Sequence, residues 1–132
     1  MNYYSLKYVD SQSHPGMQQM WKITITQQHR GDKGLLAHEI FHVGQWYACL
    51  VLASLLAGAL GGLVHPYCYA LAITGPWLHH WLYRTKPYKR LSEAMATRIQ
   101  LKRGNYTGTQ WATKWLKDMG MSDKWAKWWT RL

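Results

Sequence analysis

The sequence predicts a mainly α fold with a minor β part (α+β). In order it expects a small N-terminal β-hairpin, a helix bearing His-Glu-x-x-His, an apolar helical hairpin, a helix bearing Glu93, and short C-terminal amphipathic helices. Three observations predict it. Met20–Gln27 alternates apolar and polar residues with period two and is rich in β-branched side chains, the pattern of a half-buried strand. Two stretches, residues 46–64 and 67–83, carry no Asp, Glu, Lys or Arg and are broken by His65-Pro66. After residue 90 the chain is dominated by helix formers and by aromatic residues at helical spacing.

Taken in order, Tyr3–Val9 alternates loosely and predicts a strand, expected to pair antiparallel with Met20–Gln27. Ser11–Gly16 is turn chemistry. Residues 28–34 form a polar connector in which Asp32 is the expected N-cap of the next helix, because its carboxylate can accept from a free first-turn N–H. His14 and His29 lie in polar segments and are expected at the surface. The 19 uncharged residues 46–64 reach the length of a membrane-spanning helix, with Ser54, Gly58, Gly61 and Gly62 as points of close packing or bending. The second stretch is divided by Pro76. A membrane hairpin and a buried soluble hairpin are the two architectures this pattern allows, and the 19-residue length favours the first.

Arg84–Arg90 reads as a basic linker, and the Glu93 helix is expected to stop at Gly104. A loop over 105–109 then leads to two short amphipathic helices, with Ser122 as N-cap of the second. Trp125, Trp128, Trp129 and Leu132 form a stripe on the second helix. Such a stripe either packs over the core or, with Lys124 and Lys127 beside it, lies on an anionic membrane.

A chain of 132 residues predicts a single domain, 1–132, with residues 110–132 as a basic, Trp-rich extension. The net charge of +10 is uneven: residues 1–83 contribute +1 and residues 84–132 contribute +9, which points to an anionic partner. Nucleic acid is not favoured, because no recognised nucleic-acid-binding pattern accompanies the basic residues. Cys49 and Cys68 sit in apolar segments and are expected as free, small hydrophobes. Met1–Asp10 has no apolar core of a signal peptide. Membrane association is therefore the expected location, with the cytoplasm otherwise.

The chemistry concentrates in Ala37-His38-Glu39-Ile40-Phe41-His42-Val43-Gly44-Gln45-Trp46. On a helix, His38 and His42 leave one face a turn apart, close enough to share one zinc ion. Glu39, beside them, can take the proton of a zinc-activated water. A catalytic site of this kind needs a third protein ligand. The extended motif with a third His at position 48 is absent, since that residue is Ala. Glu93 is the other Glu of the chain and completes a His₂Glu set, with Asp118, Asp123, His65, His79 and His80 as alternatives. Tyr83, His79 and His80 are the candidates to stabilise an oxyanion.

His38-Glu39-Ile40-Phe41-His42-Val43-Gly44-Gln45, followed by Glu93-Ala94 and Gln100, resembles a family of very small zinc-metallopeptidase-like proteins of bacteriophage and bacterial genomes. The resemblance covers roughly residues 20–103. It implies a minimal gluzincin-like domain, with His38, His42 and Glu93 as metal ligands and Glu39 as general base. The expected function is thus a zinc-dependent metallopeptidase acting on a peptide or protein. The rival expectation is a non-enzymatic membrane-active or virion structural protein.

Overall fold

The computed structural model describes residues 3–131. Leu132, the last member of the expected Trp stripe, lies outside them. Strands β1 (Ser5–Val9), β2 (Gly16–Gln19) and β3 (Lys22–Thr26) form a sheet in the order β1-β3-β2. Helices α1 (Lys33–Leu63), α2 (Gly75–Tyr83), α3 (Lys86–Arg103), α4 (Gln110–Asp118) and α5 (Asp123–Thr130) follow, with a 3₁₀ segment, Pro66–Thr74, between α1 and α2. The mainly α class with a small N-terminal sheet is as the sequence expects.

The pairing within the sheet differs from expectation. β1 runs parallel to β3, with Ser5 opposite Lys22 and Val9 opposite Thr26, and β2 supplies the antiparallel partner. Ser11–Gly16 is turn chemistry, and Met17–Gln19, with no β-branched residue, carries no strand signal in the sequence. A strand inserted between β1 and β3 restores β3 to the direction of β1, so missing β2 inverted the expected pairing. The tight turn Met20-Trp21 closes the β2–β3 hairpin, with Met20 at φ 55°. One face of the sheet is anchored to α1: Ile23 and Ile25 are fully buried and pack with Leu35 and Val43.

α1 starts where Asp32 caps it, its Oδ1 accepting from Leu35 N at 2.9 Å. It continues without a break through the His-Glu-x-x-His stretch and the first uncharged segment, about 46 Å for its 31 residues. The His-Glu-x-x-His helix and the first limb of the apolar hairpin, expected as separate elements, are thus one helix. Gly58, Gly61 and Gly62 do not bend it out of helix. α1 is long and apolar enough to cross a membrane. The chain reverses at His65-Pro66 and returns along α1 as the 3₁₀ segment and α2. Pro76 falls in the first turn of α2, where its missing N–H costs no hydrogen bond, so it starts that helix rather than dividing it.

α3 begins at Lys86, so most of the expected linker 84–90 is helix, and it ends before Gly104 as expected. α3 lies against α1 and buries Ser92, Glu93, Ala96, Thr97 and Gln100 among others. Ala94 faces a second small core formed with Leu116 of α4 and Ala126 of α5. Of the aromatic stripe of α5, Trp129 faces inward, half-buried against that core. Ala126 and Thr130 are the buried positions of α5, whereas Trp125 and Trp128 are exposed. Ser122 stands at the N-cap of α5 but makes no side-chain capping bond. Arg98 of α3 covers the faces of Trp128 and Trp129 at 5.4 and 5.9 Å.

Candidate metal centre

His38 and His42 lie on the α1 face turned toward α3, and both are buried. Their Nε2 atoms are 3.1 Å apart. Glu93, also buried, reaches in from α3, with Oε2 3.5 Å from His38 Nε2 and Oε1 3.6 Å from His42 Nε2. A tetrahedral ion with donors at about 2.0–2.1 Å requires donors about 3.3–3.5 Å apart. The separation between the imidazoles, 3.1 Å, and those from each imidazole to its nearer carboxylate oxygen, 3.5 and 3.6 Å, lie on either side of that value. His38, His42 and Glu93 can therefore hold a metal ion, and they are the one such group among the described residues. Asp118, Asp123, His65, His79 and His80 are not brought to it.

The surroundings orient the ligands. His42 Nδ1 donates to Gln45 Oε1 at 3.0 Å, one helical turn on. The same oxygen accepts from Ser92 Oγ at 2.7 Å. With the proton on Nδ1, the lone pair of His42 Nε2 is free for a metal, the arrangement in which an outer partner fixes the tautomer of a ligand. The Tyr83 hydroxyl donates to Glu93 Oε1. Its ring stands edge-on to His42 at 5.9 Å between centroids. His38 Nδ1 is buried and has no hydrogen-bond partner of normal geometry, although the Gln100 side chain is near enough to raise the ring's basicity.

Electrostatically the metal-free site already favours a cation between its ligands. Burial works to lower the pKa of His38, but the Glu93 carboxylate bonded to it and the charge of Glu39 outweigh this and raise it. Burial works to raise Glu93, and His38 and His42 outweigh it and hold Glu93 below the usual carboxylate range. Burial, with the charge of His38, drives His42 down to about 4, so that ring stays neutral.

Glu39 is not part of the trio. It is buried, and burial pushes its carboxyl up to about 7, with the charge of His38 opposing and that of Glu93 adding. Its carboxylate lies against Gly16 of β2, where an added Cβ would come within 2.5 Å of Oε1. β3 is central in the sheet, and the edge strand beside the motif is β2. Gly16→Ala is expected to leave fold and metal content unchanged while lowering any hydrolytic rate about 10- to 100-fold, because only the tip of Glu39 must move and its aim is what matters. Parallel rate and metal assays check it.

Of the expected oxyanion donors, Tyr83 reaches the site. His79 Nδ1 is bonded instead to Tyr88 at 3.0 Å, and His80 is exposed. Nothing in the sequence marks Ser92 or Gly16 as part of the site. Gln45 in His42-Val-Gly-Gln45 was the legible signal, an amide one turn after a ligand. No protein-family model matches the chain, and no curated protein or solved structure matches it.

Proposed function

We propose that the protein is a zinc-dependent metallopeptidase, with zinc on His38, His42 and Glu93 and with Glu39 as general base. The observation that supports it most is the convergence of two motif imidazoles with a carboxylate from another helix, beside a buried Glu39 that is not a ligand. Zinc, when bound, supplies a Lewis acid for the scissile carbonyl and for the attacking water. Glu39 takes the proton of that water and delivers it to the leaving amine. Tyr83 and Gln45, each bonded to a ligand, hold Glu93 and His42 in place. An extended peptide fits the free edge of β2, where backbone hydrogen bonds would add it to the sheet and bring its carbonyl toward Glu39.

A carboxylate–phenol bond of this kind tunes a ligand without being one. Tyr83→Phe is expected to weaken zinc binding about 10- to 100-fold, the usual effect of removing an outer-shell partner. Competition with a zinc chelator reads it directly. The peptidase proposal is tested with a broad peptide library. Zinc-loaded wild type should cleave a subset, and Glu39→Gln should cleave none at equal zinc content. Exposed apolar residues along α1 also suit the rival, a non-enzymatic membrane-active or virion structural protein whose metal merely joins α1 to α3. If wild type and Glu39→Gln are equally inert with zinc bound, the rival holds.

A further inference from the structure

We infer that the far half of α1 and the segment returning from it form a hairpin that inserts into a lipid bilayer from one side, leaving the metal centre at the near surface. The inference stands apart from the peptidase reading. Its first support is composition: residues 40–83 contain no Asp, Glu, Lys or Arg.

Packing is the second support. Along α1 beyond Trp46 the buried positions are Cys49, Ala53, Ala57 and Gly61, one small residue per turn. The large residues point out: Leu55 is 66% exposed, Leu63 87% and, on the return, Ile73 70%. In water this order costs hydrophobic stabilisation, because the large side chains gain most from burial. In lipid they lose nothing by facing outward, and small residues at the contact let backbones approach. Gly61 shows the closeness, since a Cβ there would meet the Tyr69 ring at 2.6 Å. The aliphatic hydroxyls of Ser54 and Thr74 on this surface are satisfied within the helix and the 3₁₀ segment. Ser54 Oγ donates to Leu50 O at 2.9 Å and Thr74 Oγ1 to Leu71 O at 2.7 Å.

Aromatic residues bound the apolar belt at two levels. Near the metal centre, Trp21 packs on Trp46 at 5.7 Å, and Trp46 Nε1 donates to the Pro76 carbonyl at 2.8 Å, next to exposed Trp77. At the far end, exposed Tyr67 and Tyr69 follow the reversal at His65-Pro66. Some 17 residues of α1 separate the levels, about 25 Å, close to the roughly 30 Å hydrocarbon layer whose two boundaries favour Trp and Tyr. Exposed Arg84, Lys86 and Lys89 follow α2 on the metal side, where anionic headgroups would meet them. A second copy of the chain would cover one face of α1, whereas the exposed belt includes both α1 and the returning limb. His42 lies one turn before Trp46, on the side of that level away from the apolar belt.

The test is flotation of the detergent-purified full chain after detergent removal with neutral phosphatidylcholine vesicles, in 1 M salt, which removes electrostatic adsorption. Most of the wild-type protein is expected to float. Leu52→Glu with Leu55→Glu should lower the floated fraction at least tenfold at unchanged metal content, and Leu52→Met with Leu55→Met should float like wild type. Wild type left in the aqueous fraction, as monomer or dimer, overturns the inference, as does a floating double-Glu variant. Neither result touches the peptidase proposal, which is read from zinc content and cleavage.

Discussion

Glu39→Gln is expected to lower peptide hydrolysis by about 10²–10⁴-fold while the protein keeps its zinc, because it removes the base and leaves the three ligands untouched. The same substitution carries a second, opposite expectation. In the metal-free fold, burial holds the Glu39 carboxyl near 7 against an ordinary 4.5. A carboxyl raised in this way favours the fold in its protonated form. That contribution is complete below pH 4.5 and is lost as pH rises through 7. At pH 8 the metal-free wild type therefore buries a carboxylate at a cost of about 3 kcal/mol, which a neutral Gln avoids. Metal-free Glu39→Gln should melt several degrees above wild type at pH 8, with the gap closing toward pH 5. Loss of zinc in the variant, or a lower melting temperature at pH 8, would refute the division of roles.

The second large effect belongs to Glu93. Glu93→Ala is expected to weaken zinc binding by more than about 100-fold, beyond what loss of an outer-shell partner costs, because it leaves two imidazoles on one helix. It also removes the carboxylate that holds the His38 proton, so metal-free His38 should become harder to protonate, in keeping with the present cause of its raised pKa. Glu93→His should recover part of the affinity, since an imidazole is an accepted zinc ligand. Chelator competition measures both variants, and the His38 titration followed by NMR measures the proton effect. Unchanged affinity in Glu93→Ala would place the third ligand elsewhere.

Much of this was legible because the relevant signals are local. The i, i+4 spacing of His38 and His42 fixes their shared face once α1 forms, and the Asp32 cap marks where it starts. The scarcity of Glu in the chain narrowed the third ligand, although its arrival depends on a reversal more than 40 residues long. What stayed illegible is long-range. β2 has weak strand propensity and exists because β3 offers it a ladder, so the parallel pairing of β1 was invisible without it. Gly16 read as turn chemistry, because only the packed sheet shows that its missing side chain makes room for Glu39. The aromatic stripe of α5 left two readings open, and packing divides it: Trp129 rests on the core, while Ala126, not Trp125, fits the narrow gap beside α3.

X-ray absorption at the zinc edge of the zinc-loaded protein tests the central claim most directly. The result expected is a light-atom shell of two imidazoles and one carboxylate near 2.0–2.2 Å, with one imidazole lost in His42→Ala and the carboxylate lost in Glu93→Ala. A sulfur neighbour near 2.3 Å, from Cys49 or Cys68, or a spectrum unchanged by either substitution, would contradict it.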